Sequence, residues 1–156
     1  MVKIRQASTV KDIQQIIILC KALHNESDYY RLQPFDKEQL EESLSNVVFS
    51  EYGLALLAID HNEVVGFFIG GLTYGLFNKE LIAFDYSVYM VPTKRNTRIA
   101  MQLIKAFEKW AIDKGANRFR VGTTTDIHSD KTSRFYEFLG FKACGVSFEK
   151  VFNHGC

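Results

Sequence analysis

The hydrophobic period of this chain changes at a single proline. Leu81 to Val91 is a stretch of strand character, apolar, aromatic and small but for Asp85, and Pro92 ends it, because proline has no N–H to give to a sheet ladder. From Arg98 the apolar positions are Ile99, Leu103, Ala106, Phe107 and Trp110, the spacing of one helical face, and Gly115 stands where a left-handed C-cap residue belongs. A long strand running straight into an amphipathic helix places the chain among the mixed α/β architectures.

The other segments agree. Residues 2 to 7 alternate with period two, putting Val2, Ile4 and Gln6 on one face of a first strand. Thr9 and Asp12 have capping-box spacing, and Ile13, Ile16, Ile17, Cys20 and Leu23 then share a helical face, so helix one is expected to run to about His24. Asn25 to Phe35 reads as a loop, and Asp36 starts a second helix that ends near Asn46. Leu54–Ile59 and Val64–Tyr74 form a hairpin about Asp60-His61-Asn62-Glu63. After helix three come a strand over Phe119–Thr123, a polar loop, a helix over Lys131–Leu139 closed by Gly140, and two last strands over Phe141–Ala143 and Val146–Phe152.

Size and charge narrow the function classes. At 156 residues and 47% apolar content the chain suits one domain with a real core. A net charge of +1 is too small for general nucleic-acid coating. The longest apolar run, Ile16 to Cys20, is far too short to span a membrane and no export signal is evident, so the expected address is cytoplasmic. Cys20, Cys144 and Cys156 have neither metal nor redox spacing and read as reduced thiols; the four histidines show no ligand spacing, so no metal is expected.

The charge is unevenly spread. Lys94 to Arg120 holds eight basic residues against Glu108 and Asp113, a net of +6, which leaves −5 for the remainder. Lys94, Arg95 and Arg98 cluster where the strand ends and helix three begins. A helix N-terminus offers unpaired N–H groups and partial positive charge, so this place is suited to phosphate. No Walker motif is present.

The string Val91-Pro92-Thr93-Lys94-Arg95-Asn96-Thr97-Arg98-Ile99-Ala100 resembles the acetyl-CoA pyrophosphate loop of the GNAT superfamily N-acetyltransferases, whose pattern is Gln/Arg-x-x-Gly-x-Gly/Ala. Arg95 and Ala100 match its ends. Arg134-Phe135-Tyr136-Glu137-Phe138-Leu139-Gly140-Phe141 is similar to the family's Tyr-x-x-x-Gly-Phe signature. The resemblance spans essentially the whole chain. It implies a single domain over residues 1–156, with a mixed, mostly antiparallel sheet of six or seven strands flanked by about four helices. The pair Arg95 and Arg98, with Leu103-Ile104 and His24-x-Glu26-Ser27, is similar to a GNAT branch common in bacteriophage genomes.

The resemblance also implies site residues. Acetyl-CoA would be held by Val88, Tyr89, Met90 and Val91 at the strand end, by Lys94, Arg95, Asn96, Thr97, Arg98, Ile99 and Ala100 in the loop and first helical turn, and by Ser129. Two positions depart from the pattern: Arg98 replaces the middle Gly, and Ser129 stands where many members carry Asn. Tyr136 matches the family's general acid, with a packed aromatic as the plainer reading. Glu26, Tyr29 and Tyr30 resemble the acceptor-binding wall, or else form an exposed polar loop.

Asp85 is singled out by the residues themselves. It is the only carboxylate inside the fourth strand, and a charge in a sheet interior must be solvated or paired. Alternation puts it on one face with Ser87 and Tyr89, as a base, an amine-binding group or a structural partner of an arginine. His128, in the loop before the last helix, could reach the site, with a solvated surface histidine as the plainer reading. Two function classes follow: an acetyl-CoA-dependent N-acetyltransferase acting on a small-molecule or protein amine, or a non-catalytic module that uses its aromatic surface for a partner. Modification of nucleic acid is a weaker third, since DNA would lie where coenzyme A should. A homodimer is compatible with the sequence, though nothing in it fixes the oligomeric state.

Overall fold

The computed structural model describes residues 1–95, 97–123 and 127–154, with the backbone alone at Thr97. Its elements, in chain order, are β1 (Lys3–Gln6), α1 (Val10–Glu26), α2 (Lys37–Val48), β2 (Gly53–Asp60), β3 (Glu63–Tyr74), β4 (Leu81–Met90), α3 (Thr97–Asp113), β5 (Arg118–Arg120) and α4 (Ser129–Phe138); short 3-10 turns cover Tyr30–Leu32 and Pro92–Lys94. The strands form one sheet in the order β1-β2-β3-β4-β5, antiparallel except for the parallel β4·β5 pair.

Local chemistry explains the boundaries. The Thr9 hydroxyl accepts from the Asp12 N–H at 3.1 Å while the Asp12 carboxylate accepts from the Thr9 N–H at 3.1 Å, closing the capping box of α1. Asp12 is further held by Arg5 through two guanidinium hydrogen bonds of 2.7 and 3.1 Å, which tie α1 to β1. His61 and Asn62 both have positive φ and lie between the paired residues Asp60 and Glu63, a two-residue turn of the kind that matches strand twist. Gly115 and Gly140, at φ of 90° and 94°, terminate α3 and α4 in the left-handed region.

The sheet separates two cores. On one face α3 and α4 bury Leu56, Phe68, Ala83, Leu103, Phe107 and Tyr136; on the other α1 and α2 bury Ile13, Ile16, Leu44, Leu57, Phe67 and Ile69. Gly70 lets α3 sit close, since a Cβ there would lie 2.6 Å from the Phe107 ring and 2.4 Å from the Phe84 carbonyl oxygen.

Three expectations need correction. The sheet has five strands among the described residues, not six or seven, because residues 141–154 form no strand. Val146, Phe148, Val151 and Phe152 are all exposed there, and strand-like composition makes no ladder without a partner edge. The boundaries also shift: α1 reaches Glu26 and α2 reaches Val48, while β5 is only three residues long. The third correction concerns Asp85. The register slips between Ile69↔Ser87 and Gly70↔Asp85, so Tyr86 is an extra residue and β4 has a bulge. Ser87 and Tyr89 therefore face α1 and α2, whereas Asp85 lies on the α3 and α4 face with Tyr136.

Candidate active site

β5 pairs with β4 only at Ile82, Ala83 and Phe84. Beyond that point the edge of β4 from Asp85 onward has no strand beside it among the described residues, and a cleft of about 220 Å³ opens there. The open edge leaves backbone N–H and C=O groups for a ligand. Asp85, Val88, Tyr89, Met90, Arg95, Ala100, Tyr30 and Tyr136 all line this cleft, so the structure brings together eight of the residues expected to form the site.

Asp85 accepts a hydrogen bond of 3.2 Å from the Gly122 N–H, just past β5. Burial pushes its carboxyl up to about 6, against the stabilising pull of that N–H and of its own backbone. Among the described residues the side chain of Asp85 has no arginine partner, so the alternative of a structural ion pair does not hold. Tyr136 is 7% exposed on the inner side of α4 and packs edge-on against Phe141 with centroids 5.4 Å apart. Burial, and secondarily the Asp85 charge, raise its phenol well above the usual tyrosine range, so it stays protonated.

A polar clamp closes the other side of the cleft. Arg95 donates from Nη1 and Nη2 to the two carboxylate oxygens of Glu26 at 2.5 and 2.6 Å, and from Nε to the Met90 carbonyl at 3.0 Å. The Tyr89 hydroxyl donates to the same Glu26 carboxylate at 3.1 Å, and the guanidinium lies over the Tyr89 ring. Arg95 thus holds Glu26 below the usual carboxylate range, with burial opposing and Tyr89 adding to the effect. One residue expected on acetyl-CoA and one expected on the acceptor wall are bonded to each other, a link across 69 positions that no local pattern signals.

Three further basic residues of the segment are paired in the same way. Lys94 pairs with Asp60 at 2.7 Å, Lys109 with Asp113 at 2.8 Å and Arg118 with Glu80 at 2.8 Å. Arg98 is the second residue of α3, exposed, and has no ion-pair or hydrogen-bond partner among the described residues. The first turn of α3 follows directly on the strand end, and Ala100 from that turn lines the cleft. Ile99 turns its side chain into the core at 5% exposure, away from the cleft lining. Val91 packs against both cores, and Ser129 opens α4 outside the cleft lining. Tyr29 meets Tyr30 edge-on and donates to Glu149, away from the lining. Asn96 and the Thr97 side chain lie outside the described residues.

His128, whose place in the loop before the last helix puts it within reach of the site, lines the cleft, and so does Thr132, for which no sequence signal stands out. His128 is exposed yet held in the left-handed region as the residue before α4.

The sequence matches the model of the acetyltransferase (GNAT) family over residues 13–141. No curated protein matches it at a significant level. Solved structures do resemble the fold. AAC(6')-Iy in complex with the bisubstrate analog CoA-S-monomethyl-acetylneamine superposes with a TM-score of 0.78 at 17% identity, covering 98% of this chain and 99% of that one. A transcriptional regulator from Bacillus halodurans C-125 gives 0.79 at 22% identity, covering 97% and 100%. A ribosomal-protein-alanine N-acetyltransferase from Brucella melitensis biovar Abortus 2308 gives 0.74 at 17% identity, covering 98% and 100%. At these identities the likeness carries the fold, while the family match rests on the sequence itself and takes in the strand end, the loop and the tyrosine helix: the chain belongs to the GNAT acetyltransferase family.

Proposed function

We propose that the protein is an acetyl-CoA-dependent N-acetyltransferase that moves an acetyl group to a primary amine by direct attack in a ternary complex. The observation that carries this reading is the open edge of β4, with Asp85 and Tyr136 on one side and the first turn of α3 at its end. The residues fit the cofactor. A strand edge without a neighbour supplies backbone hydrogen bonds to an extended amide chain, and a helix N-terminus with Arg98 beside it supplies N–H groups and charge to a pyrophosphate.

Acetyl-CoA supplies the acetyl group as a thioester. Asp85, ionised above about pH 6, takes the proton that the attacking amine loses. Backbone N–H groups of the β4 edge would stabilise the oxygen charge that develops on the thioester carbonyl. Tyr136 remains protonated and donates a hydrogen bond to the departing sulfur, an interaction that tightens as charge develops there. The leaving thiolate takes its final proton from solvent, because full transfer from so weak an acid is uphill.

Millimolar acetyl-CoA should raise the melting temperature, since a ligand at about 100 times its Kd adds about 2.7 kcal/mol to stability. Native mass spectrometry of the purified protein should show a bound coenzyme A. Absence of both effects would leave the fold without its cofactor and favour a non-catalytic binding module.

A further inference from the structure

The cleft has a neighbour. A second cavity of about 540 Å³ lies beneath α2 and is lined by Leu40, Leu44, Val47 and Ile69, with Cys20 at one wall. Among the described residues no lysine, arginine, aspartate or glutamate lines it. Leu72 adds to the apolar wall, and the polar residues of the lining, Ser43, Asn46 and Ser50 among them, are uncharged. Tyr86 and Ser87 line both cavities, so the two adjoin at the bulge of β4.

The charges of the cleft are equally restrictive. Asp85 is the only carboxylate lining it among the described residues. Glu26, at its margin, is already matched by Arg95. Among the described residues an acceptor with one amino group finds one lining carboxylate, while a second cationic group would find no further carboxylate there and would meet the Arg95 guanidinium, which is costly. An apolar body, by contrast, would gain by filling the cavity beneath α2.

We infer that the acceptor is a monoamine whose apolar body occupies the cavity beneath α2 while its single amino group reaches Asp85 past the bulge. This rests on the acetyltransferase reading of the cleft. It departs from the polycationic acceptors for which several structures of the same fold are named, which include aminoglycoside acetyltransferases.

The test is thiol release from acetyl-CoA with n-alkylamines from ethylamine to hexylamine, and with spermidine and kanamycin as polycations. Burial of each methylene predicts a rise of about fourfold in kcat/KM per carbon, with both polycations below hexylamine. Ser43 is exposed on α2 and lines the cavity, so S43W should flatten the series without disturbing a buried position. A flat series in the parent protein, a preference for either polycation, or no turnover of any amine while acetyl-CoA binds by calorimetry would overturn the monoamine assignment and leave the cofactor reading standing. Failure of acetyl-CoA to bind would instead remove the acetyltransferase reading and this inference with it.

Discussion

The Arg95 guanidinium and the Glu26 carboxylate form a two-pronged ion pair that fastens the C-terminal end of α1 to the loop between β4 and α3. Both side chains are less than a third exposed, at 27% and 29%, and the planar fork of arginine matches both oxygens at once. The pair therefore acts as a tie between the acceptor side and the cofactor side of the cleft. A double-mutant cycle with Glu26→Gln and Arg95→Gln should give a coupling of about 1–3 kcal/mol in unfolding free energy. Arg95→Lys should recover less than half of it, because an ammonium cannot reproduce the fork. Additive effects of the two changes would mean that the pair is not formed in solution.

Asp85 should control the acidic limb of the pH profile. Its folded value of about 6 predicts that kcat/KM falls as pH drops through that point, and Asp85→Asn should remove the limb together with most of the turnover. The same group bears on stability with the opposite sense. A carboxyl whose folded pKa is raised binds its proton more readily when folded, so stability declines as pH rises from about 4 to about 6. Asp85→Asn should accordingly raise the melting temperature at pH 8; a lower one would place Asp85 among the residues that hold the fold.

Tyr136→Phe should lower kcat about tenfold to a hundredfold while leaving the Kd for acetyl-CoA within about twofold, since the hydrogen bond to sulfur is made mainly in the transition state. The ring packing against Phe141 is retained in this variant, so stability should change little. Unchanged turnover would reduce Tyr136 to a core aromatic.

Arg98 replaces the Gly of the family's loop pattern and stands unpaired among the described residues at the first turn of α3. A charge-assisted hydrogen bond to phosphate is worth about 1.5–3 kcal/mol, so Arg98→Ala should weaken acetyl-CoA binding about tenfold to a hundredfold and flatten its salt dependence. Arg98→Gly should recover part of the loss through closer backbone approach, less about 1 kcal/mol for Gly in a helix. Equal affinity of Arg98→Ala and the parent would assign the pyrophosphate to backbone N–H groups alone.

Acid should expose the tie between β1 and α1. Arg5 holds the Asp12 carboxyl far below its usual range, with burial opposing and the N–H groups of Ser8 and Thr9 adding to the effect. Its folded pKa is depressed, so its contribution is fully present above pH 4 and is lost progressively as the pH falls below that. Asp12→Asn should cost about 2 kcal/mol at pH 7, from the lost cap and ion pair, and clearly less at pH 2, where the contribution is part-way through its loss. Equilibrium urea unfolding at the two pH values measures the difference, and an equal cost at both would exclude the ion pair as its source.

Period and punctuation in the sequence determined the elements and their order. Capping residues, Pro92 and the terminal glycines are short-range signals, each acting through the backbone within a few residues, which is why helices one to four and strands one to five were all anticipated. The loop at α3 and the tyrosine of α4 were legible as well, because their motifs lie on single local segments. Tertiary structure alone decided three things. The bulge at Tyr86 moved Asp85 to the opposite face from Ser87 and Tyr89, since a register slip is set by the partner strand and leaves no trace in the alternation of β4 itself. The Arg95–Glu26 clamp joined residues 69 positions apart that had been assigned to different ligands. The apolar segment after Phe141 formed no strand, because a strand exists only where another edge completes its hydrogen bonds, and no residue's own propensity can provide that edge.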